Sequence, residues 1–187
     1  MKYAAIVLFL LSAFVVLNTT SCTSGNKYAK ETQMLDSMQI LVIKADSAVK
    51  AIDTAKIAGY ADHVIKNMQM IPLFHADSMS PEAAQIFRSF NGVRWSLLTV
   101  TGRRGPLLNE LGKSQKQLNH LSHDIKHNLV TADSVQFYVA FETKKAAELV
   151  QTSAMSVDEI KKQIPLYNML APKADSLISL LKEHKKF

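Results

Sequence analysis

The chain has 187 residues, a formal net charge of +6 and a single cysteine. This length is enough to bury a core as one domain, and one cysteine excludes an intramolecular disulfide. Glycine and proline number only six and five, and no long stretch alternates apolar and polar residues as a half-buried strand does. The composition therefore predicts an all-α protein.

The first 22 residues have the pattern of an export signal. Lys2 supplies a positive charge, and residues 4–17 form an apolar run interrupted only by Ser12, which is the length of a secretory hydrophobic region. A membrane-spanning helix needs about 20 apolar residues, so the run is too short to be an anchor by itself. Ser21 and Cys22 follow it.

This ending resembles the signal peptide of a bacterial lipoprotein. The usual lipobox has Leu three residues before the cysteine, where this chain has Thr19, and Leu17 stands two residues further back. The resemblance implies that residues 1–21 are cleaved and that Cys22 carries diacylglycerol on its thiol. It also implies an acyl chain such as palmitate on the new amino group. Two or more chains give stable anchoring, whereas ordinary secretion would leave Cys22 as a free reactive thiol.

After the anchor we expect one tether and one domain. Residues 22–30 are polar and have no core-facing pattern, so we interpret them as a flexible tether. Residues 31–187 read as a single helical bundle domain without repeats or low-complexity segments. The helical body, with LDSMQIL at 35–41, resembles uncharacterised lipoproteins of Bacteroidota.

Apolar residues at spacings of three and four predict the first two helices. The first begins near Glu31, and the second is capped by Asp53 or Thr54 and ends near Pro72. The short connection between them predicts an antiparallel helical hairpin. One continuous helix through Asp53 is the alternative.

The third and fourth helices are predicted from their punctuation. Ser80, Pro81 and Glu82 are typical of a helix N-terminus. The GRRG segment at 102–105 predicts a break, after which Pro106 starts the fourth helix.

The rest of the chain predicts a fifth helix and a short sixth. Thr131 or Asp133 caps the fifth helix, and residues 152–156 bend or end it. Pro165 then predicts a kink and Pro172 an end. We therefore expect an elongated antiparallel bundle of five to six helices built from helical hairpins.

Two charged residues fall inside apolar stripes. Arg94 lies on the core face of the third helix and Glu142 on that of the fifth. Because an unpaired buried charge is costly, we predict that the two form a structural buried ion pair, together with the Tyr138 hydroxyl.

Two further sets of side chains are weak candidates for ligand binding. His120, His123 and His127 project from one helical face, where three imidazoles could hold a divalent metal ion. That face is opposite the core, so we interpret them as surface histidines. Arg103 and Arg104, ahead of a helix N-terminus, could bind an anion, although a solvated turn is the simpler interpretation.

The motifs of catalysis are missing from the sequence. There is no glycine-rich phosphate loop, no HExxH and no cysteine besides Cys22, so we expect no enzyme and no cofactor. An exported chain is also not expected to meet nucleic acid. We expect a lipoprotein that binds or scaffolds another envelope protein, at the outer membrane because Thr23 is not the Asp that retains lipoproteins at the inner membrane. A periplasmic bundle that binds a small molecule or metal is the alternative, and a hydrolase with an unrecognised site is a third reading.

Overall fold

The computed structural model describes residues 27–71 and 79–184. These residues form four helices and no strand, so the predicted all-α class is confirmed, whereas the prediction of five to six helices is wrong. The helices are α1 (Ala29–Lys50), α2 (Thr54–Met70), α3 (Pro81–Lys126) and α4 (Ala132–His184).

The long helices α3 and α4 are the frame of the bundle. With 46 and 53 residues at 1.5 Å per residue they extend for about 70 and about 80 Å. They lie antiparallel, since they are joined by only the five residues 127–131 and pack along each other. Both α1 and α2 pack on this pair, which makes an elongated bundle with three helices in cross-section.

The helices α1 and α2 follow one another along α3 instead of folding back. Asp36 of α1 accepts a hydrogen bond from Ser122 near the C-terminus of α3, at 2.9 Å. The ring of His63 in α2 lies 5.8 Å from that of Phe90, near the N-terminus of α3. The predicted hairpin is therefore wrong. The two helices lie one after the other along α3, antiparallel to it, with a break between them.

The core face of α3 keeps one phase through the predicted GRRG break. Its seam positions recur at spacings of three and four, which is the repeat of a coiled coil, and the helix is continuous. Pro106 is exposed, and Gly102, four residues earlier, is exposed too, so the carbonyl that loses its donor is open to water. Across this region the seam consists of Val93, Leu97, Val100, Arg104, Leu107 and Leu111.

The helix α4 is also continuous where breaks are predicted. Pro165 and Pro172 are both exposed, off the core face, and the predicted end at Pro172 and separate last helix are wrong. Hydroxyl groups within 152–156 donate to carbonyl oxygens of the preceding turn, at 2.8 to 2.9 Å. These side chains are therefore satisfied inside a helix and do not end it.

The predicted N-caps at Asp53 and Ser80 are confirmed. The Asp53 carboxylate accepts from the Lys56 N–H at 2.9 Å, and the Ser80 hydroxyl accepts from the Ala83 N–H at 3.2 Å. The helix α4 begins directly after Thr131. Within the described ranges, no helix is long and apolar enough to cross a bilayer.

The break between α1 and α2 is held from outside by Arg104. Its Nε donates to the Val49 carbonyl at 3.1 Å, and its Nη2 donates to the Lys50 carbonyl at 3.0 Å. Both belong to the last four carbonyls of α1, which have no i+4 donor within the helix, and the Val49 carbonyl also accepts from the Ile52 N–H at 3.3 Å. A cation is also favoured at this negative end of the helix dipole. Arg104 therefore stabilises the break between α1 and α2.

We predict that Arg104→Met destabilises the protein while Arg103→Met does not. Methionine keeps the apolar stem of Arg104 but removes both charge-assisted hydrogen bonds, at a cost of about 1–3 kcal/mol. Arg103 is its exposed neighbour and is expected to change stability by less than about 0.5 kcal/mol. Urea unfolding followed by circular dichroism measures both, and equal midpoints for the two variants would contradict the assigned role of Arg104.

Candidate functional site

The densest polar contact between helices joins α2 to α4. The imidazole of His63 contacts the Tyr167 hydroxyl through Nδ1 at 2.5 Å and an Asp175 carboxylate oxygen through Nε2 at 2.9 Å. The amide of Asn67 donates to the same carboxylate oxygen at 2.7 Å. We call these four residues the polar cluster.

The contacts indicate which ring nitrogen of His63 carries the proton. A carboxylate only accepts, so Nε2 must hold a proton to bind Asp175. In the neutral imidazole Nδ1 then accepts the proton of the Tyr167 hydroxyl. The carboxylate fixes the ring orientation, and the order Asp175–His63–Tyr167 is the order in which a base and its orienting group activate a hydroxyl nucleophile.

The Tyr167 hydroxyl, the group that this chain of hydrogen bonds would activate, belongs to a buried residue that packs against other rings. Tyr167 is 8% exposed and stacks on Tyr60 with ring centroids 4.1 Å apart, while the Phe90 ring lies 5.7 Å away. Neither the groove beside Tyr138 nor the groove between α1 and α4 is lined by Tyr167. The polar cluster therefore acts as a specific tie that sets the register of α2 against α4.

Sequence reasoning missed the polar cluster, although part of its signal was there. His63 and Asn67 are four residues apart on one face of α2, next to the buried Val64, and Asn67 is itself buried. The partners Tyr167 and Asp175 are more than 100 residues away in the sequence. Only the register of α2 against α4 brings the two sets together.

The structure does not bring Arg94 and Glu142 together. Glu142 and Tyr138 line a shallow groove with 117–124 of α3, whereas Arg94 lies 23 residues earlier in the same helix, about 35 Å along its axis. Arg94 is half-buried, and its guanidinium lies 4.6 Å from the ring of Trp95. The Arg94 Nε is buried and has no hydrogen-bond partner among the described residues, and the rest of the charge is accommodated by partial exposure and this cation–π contact. The predicted ion pair is therefore wrong.

The three histidines predicted as weak metal ligands lie on the surface at the C-terminal end of α3. His120, His123 and His127 are all exposed, and the rings of the last two are 4.3 Å apart. His120 lines the shallow groove that contains Tyr138, together with Asp124 and Glu142. In the described part of the chain no three His, Cys, Asp or Glu side chains are placed to hold a metal ion.

The predicted anion site at Arg103 and Arg104 is not formed as proposed. These residues lie in the middle of α3, so no helix begins beside them, and Arg104 is engaged with the α1 carbonyls. The predicted lipidation site, Cys22, lies outside the described residues.

A second surface feature lies between α1 and α4 and has an apolar floor. This α1–α4 groove encloses about 280 Å³ and is open to solvent along its length. Its apolar and small side chains come equally from the two helices, namely Leu41, Ala45 and Ala48 with Val150, Ala154 and Val157.

Charged side chains border the groove. Lys44 lies on the α1 side, while Asp158 and Lys161 lie on the α4 side and contact each other at 3.7 Å. Such a border of charge around an apolar floor is the arrangement that a protein-binding surface shows.

Comparison with protein-family models, with curated proteins and with solved structures finds no match to this chain. Two features of the described residues bear on function: the polar cluster, whose groups bind each other, and the open α1–α4 groove.

We predict that Tyr167 makes the protein less stable at high pH. Burial, with the negative charge of Asp175 and with Tyr60 as smaller causes, raises the pKa of Tyr167 above 10.0. The folded chain therefore keeps this proton where the unfolded chain loses it. The stability contributed by Tyr167 is present below about pH 10 and is lost as the pH rises through the folded-state pKa.

Thermal unfolding between pH 8 and pH 11 tests this prediction. In Tyr167→Phe the melting temperature should fall less steeply with pH than in the wild type. Tyr138→Phe, which changes an exposed tyrosine, is the matched control and should follow the wild type. Parallel curves for wild type and Tyr167→Phe would show that this hydroxyl does not contribute.

Proposed function

We propose that the chain is a non-enzymatic lipoprotein of the cell envelope, anchored through Cys22, whose bundle binds an amphipathic helix of another envelope protein in the α1–α4 groove. The groove is the single observation that carries the binding role. The anchor is supported by the apolar run at 4–17 followed by the only cysteine of the chain. Thr23 supports an outer-membrane destination.

The dimensions of the groove fit a helix. On α4 it extends from Val150 to Lys161, which is about 16 Å or three helical turns. Ala45, Ala48 and Ala154 lie along it, and small side chains let a third helical backbone approach closely in ridges-into-grooves packing. Beside the groove the bundle has three helices in cross-section, α1, α3 and α4, and a helix bound there would add a fourth.

The chemistry of the groove fits the same occupant. Leu41 is 39% exposed, and Val150 and Val157 are half-buried, so a partner could still bury apolar surface here. Lys44 and Lys161 at the border would pair with acidic residues beside the apolar stripe of the incoming helix. Helix-in-groove recognition uses these components.

A small-molecule or metal site finds less support in the same geometry. Small-molecule sites enclose most of the ligand surface, whereas both the α1–α4 groove and the groove beside Tyr138 are shallow and open. The polar cluster has convergent polar groups, but these bind each other. Binding of an elongated partner therefore accounts for the surface better.

We predict that Ala48→Trp blocks partner binding whereas Ala58→Trp does not. Both alanines are exposed on helices, but only Ala48 lines the groove, where an indole would occupy the space of the incoming helix. A photo-crosslinker at Ala154 should give one discrete adduct in cells. Ala48→Trp should reduce its yield about tenfold, the loss expected when a packed contact is blocked.

The result that contradicts this proposal is equally specific. An adduct at Ala154 whose yield is unchanged by Ala48→Trp, or equally reduced by Ala58→Trp, would place the contact outside the groove. Absence of any adduct in cells that contain the folded protein at the membrane would exclude a stable helical partner in the α1–α4 groove.

We predict that Cys22→Ala abolishes fatty-acid incorporation and releases the protein from the membrane. The thiol and the new amino group of Cys22 are the two acylation points, and anchoring of this kind requires more than one chain. Labelling of cells with an alkyne analogue of palmitate, followed by membrane fractionation, measures both effects. Ser24→Ala, in the polar segment after Cys22, is the control and should keep both the label and the membrane association. Palmitate label retained by Cys22→Ala would overturn the assignment.

A further inference from the structure

Three exposed aromatic side chains lie together on the first turns of α4. Phe137, Tyr138 and Phe141 are 65%, 46% and 48% exposed, and we call them the aromatic patch. The ring of Phe137 lies 6.2 Å from that of Phe141 and 5.6 Å from that of Tyr138. These rings contact each other instead of the core, which leaves their apolar faces to solvent.

The aromatic patch lies at the end of the bundle where the described chain begins. Asp36, two turns into α1, contacts Ser122 at 2.9 Å and Lys126 at 3.2 Å, on the last turns of α3. The first turns of α4 face the same part of α3, since Tyr138 lines a groove with 117–124. Leu129, in the connection between α3 and α4, is 68% exposed at the same end.

The length of chain before α1 limits how far this end can be from the proposed anchor. Five residue steps separate Cys22 from Lys27, and fully extended they span at most about 18 Å. A chain acylated at Cys22 therefore keeps this end of the bundle close to the lipid head groups. The other end of α4 lies about 60 Å or more from the aromatic patch along the helix.

We propose that the aromatic patch docks on the lipid surface of the membrane that anchors the chain. The proposal rests on the anchoring at Cys22 in the proposed function. Aromatic side chains are favoured at the level of the head groups, and the short tether presents these three to that layer. The Lys145 ammonium lies 5.3 Å from the Phe141 ring, so the lysine stem can follow the ring into the interface while its charge stays with the phosphates.

Docking adds a second contact to the lipid anchor and fixes an orientation. The tether alone would let the bundle rotate freely above the membrane, whereas a docked aromatic patch turns the outer face of the first turns of α4 toward the lipid. Trp95 and the α2 end of the bundle would then stay away from the surface.

Fluorescence of a relocated tryptophan tests the docking. Trp95 is the single tryptophan, so Trp95→Phe combined with Phe141→Trp places the only indole in the aromatic patch. The acylated full chain is reconstituted in vesicles of phosphatidylethanolamine and phosphatidylglycerol that contain lipids brominated near the head group. We expect a blue-shifted emission and quenching several times stronger than in the control.

The control is Trp95→Phe with Met169→Trp. Met169 is 51% exposed and lies four heptads after Phe141 on the same helix, about 42 Å along the axis, so it occupies the equivalent face away from the anchored end. Thermal unfolding of both variants confirms that each is folded before its emission is compared.

The outcomes separate the docking from the anchor. Failure of the protein to float with vesicles would contradict the anchoring, whereas flotation with equal quenching of Phe141→Trp and Met169→Trp would overturn the docking alone. Emission of Phe141→Trp that depends on protein density but not on brominated lipid would identify a second copy as the occupant, and would overturn the docking as well.

Discussion

The constraint on which the bundle depends is the uninterrupted three-and-four spacing of the core face of α3. That spacing keeps one seam toward α1, α2 and α4 over about 70 Å, so each of the three can pack on the same helix. At position 104 of the seam the apolar residue is replaced by Arg104, opposite the end of α1. The break between α1 and α2 and the one cation of this seam segment are therefore linked by the two hydrogen bonds from Arg104 to the end of α1.

The sequence predicts the all-α class, the seam of each helix and the caps at Asp53 and Ser80, because these depend on local chemistry. Helix number is where local reasoning fails. Pro106, Pro165 and Pro172 are helix breakers by propensity, yet all three are exposed, where water satisfies the carbonyls that they leave free. Packing of the continuous seam then outweighs the local cost. A break requires that the phase of the seam change, and here it does not.

The site residues divide in the same way. The exposure of the histidines on α3 follows from their phase relative to the core, and the structure places them as that phase indicates. The pairing of Arg94 with Glu142 required the register of two long helices, which single-helix periodicity does not contain. The contacts of His63 with Tyr167 and Asp175 could not be predicted for the same reason, because they depend on the register of α2 against α4. Long helices magnify this problem, because a shift of one heptad moves a partner by about 10 Å.

Because α1 and α2 are separate helices that pack on different parts of α4, the two halves of the bundle make different contacts. Beside α2, the polar cluster and the stacked Tyr60 and Tyr167 fix the register. Tyr167 and Asn67 are the buried members of the cluster, and a bond that either of them loses leaves a buried group unsatisfied. Beside α1, the surface against α4 is a groove with small side chains, and the aromatic patch lies near its start. Contacts with other molecules are therefore expected on the α1 half, next to the tether. On the α2 half, the polar cluster holds α2 in register with α4.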